Sequence, residues 1–268
     1  MLAIAVAALG GCGGTPATTP PRPLYDGGEE AKDFDDAQNA YRTDRFLDAY
    51  GMFDSFILRH PSSAKTKEAV RLIFESAKKL AEQGLDSTFL GVGVGKSPAK
   101  GLELLKDALI KHPYEESSDD SALWLGNFYF ARSELAEAAV EYELLIKNYP
   151  RSECLPSALF QLGRCRLHEF EAVDYDAKPL REARRFFQRL LDEYPGDKRA
   201  PQAKQAVATI NEKLAEKDLR TGDFYISRGK PTSALLYFRS VVDNYPGTAS
   251  AAAAATRLKE HAPERGGQ

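Results

Sequence analysis

Five pairs in which histidine or tyrosine precedes proline divide most of the chain into units. The prolines are 52, 37, 45 and 51 residues apart. Proline lacks a backbone N–H and disfavours the helical conformation of the residue before it, so each pair predicts the end of a helix. The five pairs are His60-Pro61, His112-Pro113, Tyr149-Pro150, Tyr194-Pro195 and Tyr245-Pro246.

The residues upstream of each proline also repeat. Offsets of 12, 8, 5 and 4 residues fall on one face of an α-helix, so each unit predicts a helix with an inward apolar stripe. Small residues stand at offset 12, namely Ala49, Gly101, Ala138, Ala183 and Ala234. Large residues stand at offset 8, namely Phe53, Leu105, Tyr142, Phe187 and Phe238.

In the third and fifth units, the pattern predicts another helix before the one that ends at the proline. Gly126 and Tyr129 stand before Ala138 at the same spacing as Gly222 and Tyr225 before Ala234. This order of small and aromatic residues resembles the tetratricopeptide repeat, in which stacked helical hairpins bury a continuous core. The sequence therefore predicts an all-α fold, an α-solenoid of about five tetratricopeptide-like hairpins over residues 30–261. In that fold the histidines of the first two pairs have a packing role.

The N-terminal segment has a different composition. Residues 1–11 are apolar and end in small residues, as in a secretory signal peptide. The tetrapeptide Leu9-Gly10-Gly11-Cys12 is similar to the lipobox of bacterial lipoproteins, which predicts lipidation of Cys12. Residues 12–29 are rich in proline, threonine and glycine and predict a flexible tether. Residues 262–268 are predicted to be a disordered tail.

Composition excludes several function classes. The chain has 36 Lys and Arg against 39 Asp and Glu, which gives a net charge of -3 and argues against nucleic acid as a partner. Three cysteines and four histidines are too scattered for a zinc cluster. No carboxylate pair or nucleophile–base set stands at a usable spacing, so we expect no catalytic residues, no metal and no cofactor.

A glycine-rich run, Gly91 to Ser97, superficially resembles a phosphate-binding Walker A loop. That loop needs a glycine where this chain has Leu90, and no strand is predicted before it. The segment from residue 86 to 98 is better interpreted as an insertion between the two helices of the second hairpin.

Arg181, Arg185 and Arg189 form a stripe opposite the apolar face of their predicted helix. Two interpretations stay open, a solvated face or a partner-docking face. We retain all three arginines as candidate partner-binding residues.

The lipobox, the tether and the hairpins together resemble the BamD family of lipoproteins, which belong to the outer-membrane β-barrel assembly machinery. The closest likeness runs from Val173 to Thr248. It includes a Tyr-x-x-Arg-Gly turn at Tyr225–Gly229 and eight extra residues between Gly163 and Ala183, relative to the third unit.

The resemblance implies a non-enzymatic scaffold in the outer membrane, anchored by the N-terminal lipid and facing the periplasm. Its C-terminal hairpins would dock a POTRA domain of a BamA-like barrel protein, with Arg228 at the contact and Tyr225 in packing. Its N-terminal hairpins would receive unfolded outer-membrane proteins, and other assembly lipoproteins would share the complex. The alternative is a periplasmic tetratricopeptide adaptor that coordinates cell-wall synthesis or division.

Overall fold

The computed structural model describes residues 27–86, 98–172 and 176–261. These residues form α-helices and contain no β-strand. None of the helices in these ranges is both long and apolar enough to cross a bilayer. The predicted signal peptide, Cys12, the tether as far as residue 26, residues 87–97 of the predicted insertion and the predicted tail lie outside the described residues.

Within the described ranges, the helices pair into five consecutive hairpins, followed by one more helix. The first begins at residue 27, three residues before the predicted start of the domain. The bounds are α1 Gly27–Arg42, α2 Phe46–Arg59, α3 Thr66–Asp86, α4 Ala99–Lys111, α5 Ser118–Ala131, α6 Leu135–Asn148, α7 Leu155–Ala172, α8 Lys178–Glu193, α9 Ala200–Ser227, α10 Pro231–Asn244 and α11 Ala249–Glu260.

Each histidine or tyrosine that precedes a proline is the C-cap of the second helix of its hairpin. The five caps have φ between -122° and -134° and ψ between 51° and 62°. Each still donates its N–H to the carbonyl four residues earlier, as Tyr149 does to Leu145 at 2.9 Å. The cap completes the last helical bond and then leaves the helical region, as a following proline requires. The predicted role of the five pairs is confirmed.

The predicted stripe is the core. All five residues at offset 12 are buried, and the five large residues at offset 8 are at most 1% exposed. The small residue on the first helix of a hairpin lets a ring approach closely. A Cβ on Gly126 would lie 2.5 Å from the Tyr142 ring, and one on Gly222 would lie 2.3 Å from the Phe238 ring. The all-α solenoid prediction is therefore confirmed in its packing.

The buried apolar residues form two clusters that meet at α5. One combines α1–α4 with Leu125 and Phe128, and the other runs from Ala122 to Ala254. The contact between α4 and α5 is much smaller than the contact within any hairpin. In a solenoid each unit is stabilised by its neighbours, so this narrow contact divides the described chain into a two-hairpin part and a three-hairpin part.

Candidate partner-binding surfaces

The turn between α9 and α10 places Arg228 at the surface. Arg228 is the C-cap of α9, and Gly229 follows with φ of +68°. Lys230 donates its N–H to the Tyr225 carbonyl at 3.0 Å, and Gly229 donates to Ile226 at 2.9 Å. These two bonds form a Schellman motif, in which glycine is favoured because its left-handed conformation carries no Cβ penalty. The Tyr-x-x-Arg-Gly pattern is thus a helix-ending motif.

An exposed aromatic ring lies beside Arg228, and two further rings stack on the same hairpin. The Arg228 guanidinium lies 5.1 Å from the ring centroid of Phe224, which is 52% exposed. Tyr225 stacks on Tyr237 with centroids 5.4 Å apart, which agrees with the packing role expected for Tyr225. Arg228 makes no ion pair with any of the described residues. We call Phe224, Tyr225, Arg228 and Tyr237 the α9–α10 surface.

The third hairpin contains the equivalent turn, but its arginine is paired and its phenylalanine is buried. Arg132 caps α5 and lies 5.8 Å from the Phe128 ring, but it also donates from Nε to Glu134 Oε1 at 2.7 Å. The residue that corresponds to Glu134 in the fifth hairpin is Lys230. Phe128 is only 8% exposed because it packs in the cluster of the first two hairpins. The fifth hairpin therefore exposes the Phe224 ring, and its Arg228 has no ion pair among the described residues. In the third hairpin, the equivalent Phe128 is buried and Arg132 is paired with Glu134.

The three arginines predicted on α8 line a groove of about 590 Å³ against α9. Arg184, which the sequence analysis did not single out, joins them and donates from Nη1 to Asn211 Oδ1 at 3.2 Å. Arg189 donates from Nε to Glu193 Oε1 at 2.8 Å. We call this site the α8–α9 groove. Arg228 is not part of its lining, so the predicted arginines form two separate surfaces.

One negative charge lies near this groove on the α9 side. Burial raises the pKa of the Asp218 carboxyl, and the positive charge of Arg181 opposes that increase. Burial likewise raises the pKa of the neighbouring Tyr245 hydroxyl. Asp218 is thus a partly buried carboxyl close enough to the groove for the charge of Arg181 to affect its pKa.

A third surface was missed by the sequence analysis. Ile110 and Tyr114 are 79% and 93% exposed, and with Val140 and Leu144 they line a groove of about 580 Å³ between α4 and α6. Lys106 of α4 bridges this groove to Glu141 of α6, with Nζ 2.7 Å from Oε1. The available signal was the four-residue spacing of Val140 and Leu144, which places both on one side of α6 away from the repeat stripe.

Comparison with known proteins gives a consistent family. The family model described as YfiO, outer membrane lipoprotein, matches residues 96–267. A protein from Caulobacter vibrioides named outer membrane protein assembly factor BamD is 24% identical over 161 residues, which is 60% of this chain and 53% of that protein. The Vibrio cholerae protein of the same name is 26% identical over 160 residues, or 56% of this chain and 66% of that protein. The match spans about half to two thirds of the length of these relatives.

Solved structures give a looser likeness. A tetratricopeptide repeat protein from Parabacteroides merdae covers 87% of this chain and 99% of its own, with 11% identity and a TM-score of 0.33. The structure of MamA AMB-1 covers 85% of this chain and 98% of its own, with 16% identity and a TM-score of 0.34. Superpositions at this level support no inference about function.

Proposed function

The chain belongs to the YfiO outer membrane lipoprotein family, and we propose that it is a non-catalytic scaffold for assembly of outer-membrane β-barrel proteins. The relatives named outer membrane protein assembly factor support this function. The proposal places the protein in the outer membrane facing the periplasm, held by a lipid on Cys12. Several acyl chains, at about 0.8 kcal/mol per buried CH₂, would make such an anchor stable.

We propose that the α9–α10 surface docks a POTRA domain of a BamA-like barrel protein. The observation that carries this proposal is that Arg228 has no ion pair among the described residues and lies beside the exposed Phe224 ring, with both residues inside the family match. Arginine and aromatic residues are enriched at the energetic centres of protein interfaces. The proposed contact is therefore a carboxylate of the partner on Arg228, with an apolar group covering Phe224.

We propose two further kinds of contact on the solenoid. The N-terminal hairpins are proposed to receive unfolded outer-membrane proteins, and other assembly lipoproteins to bind elsewhere on the solenoid. The exposed apolar side chains between α4 and α6 support the presence of a contact surface near the N-terminal hairpins, since large exposed apolar patches commonly mark interaction sites.

The docking proposal predicts that Lys230→Glu weakens association with the barrel protein. The new carboxylate would stand where Glu134 stands relative to Arg132 and would pair with Arg228 within the chain. Arg228→Glu should weaken association further, by about tenfold or more, because it places like charges at the contact. The measurement is co-purification of a POTRA-bearing protein from detergent-solubilised membranes.

Two controls make this test specific. Lys230→Gln removes the same positive charge without offering a partner to Arg228, and it should retain most of the association. Arg132→Glu changes the equivalent turn of the third hairpin and should leave association intact. Equal losses for Lys230→Glu and Lys230→Gln would contradict the proposed role of Arg228. Recovery of cell-wall synthases in place of a POTRA-bearing protein would contradict the function itself.

A further inference from the structure

We propose that the α8–α9 groove binds an acidic peptide segment of a partner protein. The groove lies apart from the α9–α10 surface, and the proposal does not depend on which protein docks there. It rests on three features of the described residues, which are the charge of the groove, the availability of its guanidinium groups and its shape.

The groove is positive although the chain is negative. Four arginines and two carboxylates, Asp192 and Glu193, line it, whereas the chain as a whole carries a net charge of -3. Another α8 carboxylate is engaged elsewhere, since Glu182 Oε2 lies 3.3 Å from Nε of Arg166 on α7. The two carboxylates in the lining offset only part of the charge of the four arginines, so the lining keeps a positive formal charge.

Two of the four guanidinium groups are available to a ligand. Arg184 is held by Asn211, and Arg189 is held by Glu193. Arg181 and Arg185 are exposed and form no ion pair with the described residues, although Arg185 lies 4.8 Å from the Phe186 ring and Arg181 is close enough to Asp218 to affect its pKa. One helical turn separates them, about 6 Å along the axis. A guanidinium can bind a carboxylate through two parallel hydrogen bonds. Two peptide carboxylates about 6 Å apart could therefore bind Arg181 and Arg185, one to each.

The shape of the site favours a peptide over a membrane surface. The arginines face a groove whose opposite wall includes the half-buried Val207 of α9, so an acidic segment with one apolar side chain fits it. Asp192 and Glu193 line the groove near the C-terminal end of α8 and would repel a continuous anionic surface. They would not repel a short peptide whose carboxylates lie only against Arg181 and Arg185. The large apolar side chains exposed in the described residues lie outside α8, whereas membrane-surface helices place such side chains beside their basic ones.

The test measures binding of a fluorescein-labelled peptide with glutamates spaced about four residues apart, so that both face one side. The titrated proteins are the full chain, the Arg181→Gln/Arg185→Gln variant and a matched control, Lys147→Gln/Arg151→Gln. Both variants lose the same charge from exposed positions, and the control positions lie outside the groove lining. A parallel arm measures binding to vesicles of anionic phospholipid.

The wild-type chain and the control should bind the peptide with similar affinity, which falls as salt concentration rises. The groove variant should bind at least about tenfold more weakly while its helical content is unchanged. Equal weakening in the control would show general attraction to net charge and would overturn the proposal. Absence of peptide binding by the wild-type chain would also overturn it, as would loss of vesicle binding alone in the groove variant. An Arg228→Glu variant that loses the barrel protein but keeps the peptide would separate this site from the α9–α10 surface.

Discussion

Replacing Gly222 by alanine tests the close contact between the two helices of the last hairpin. The added Cβ would lie 2.3 Å from Cε1 and 2.7 Å from Cδ1 of the Phe238 ring. Ordinary van der Waals contact begins near 3.4 Å, so α9 and the ring must separate by about 1 Å. Phe238 is fully buried, and because protein interiors are close-packed, the ring cannot move without displacing its neighbours. The strain must therefore spread into the packing of α9 against α10.

The expected cost follows from two opposing contributions. Overpacking a core costs about 1–3 kcal/mol, and a clash this short against a buried ring belongs at the upper end. Alanine is favoured over glycine inside a helix by about 1 kcal/mol, which offsets part of that cost. We expect Gly222→Ala to lower the free energy of unfolding by about 2 kcal/mol. Gly51→Ala has no atom within 4 Å of the new Cβ and should raise it by up to about 1 kcal/mol.

The assay is urea and thermal unfolding of both variants, followed by far-UV circular dichroism. A difference of about 3 kcal/mol between them corresponds to roughly 6–12 °C in Tm for a domain of about this size. The double variant Gly222→Ala/Phe238→Leu should be more stable than the sum of the single effects predicts, because the smaller side chain relieves the clash. Additive effects, or a Gly222→Ala variant as stable as Gly51→Ala, would refute the proposed contact.

Two further predictions concern helix ends. Ser133 has φ of +61° at the position where the fifth hairpin has Gly229, and a residue with a Cβ is strained in this left-handed conformation. Ser133→Gly should therefore stabilise the chain and Gly229→Ala should destabilise it, each by about 1 kcal/mol in urea unfolding. Opposite signs would contradict the Schellman assignment. Hydrogen bonds from the Ser250 side chain and from the N–H groups of Ala249 and Ser250 hold the pKa of Glu212 below its ordinary value near 4.5. The stabilisation that Glu212 gives α11 is therefore complete above pH 4.5 and is lost as pH falls through the lower folded-state pKa. Hydrogen exchange of α11 should therefore speed up in acid for the wild-type chain, and Glu212→Gln should remove this pH dependence. The same pH dependence in Glu212→Gln would refute the role of Glu212.

The sequence predicted the repeated packing because a single physical constraint acts five times. A helix ended by proline and packed on its hairpin partner needs a small residue at offset 12 and a large one at offset 8. Ala138 and Tyr142 satisfy this in one unit as Ala234 and Phe238 do in another, and all four are fully buried. Agreement among independent units excludes coincidence without any knowledge of the three-dimensional structure.

The candidate binding surfaces were less predictable because they depend on contacts between residues that are distant in sequence and that differ from one hairpin to the next. The phenylalanine, tyrosine and arginine of the turn occur in both the third and the fifth hairpin, and only the structure shows Phe128 covered and Phe224 exposed. The role of Arg184 in the α8–α9 groove depends on Asn211, which is 27 residues away in sequence. Likewise, the apolar groove between α4 and α6 depends on side chains from two different hairpins.

The repeat thus separates the residues that build the fold from those available to partners. Packing positions are nearly the same in all five hairpins, so a change at one of them disturbs a contact that every unit requires. The candidate binding residues occur where a unit departs from the pattern, as when Lys230 stands in the place of Glu134 and Arg228 lacks the ion pair that Arg132 makes with Glu134. A substitution at such a position alters a charge on the surface without altering the interior. This difference is why Lys230→Glu should change association with a partner and leave the stability of the chain nearly unchanged, whereas Gly222→Ala should change stability first.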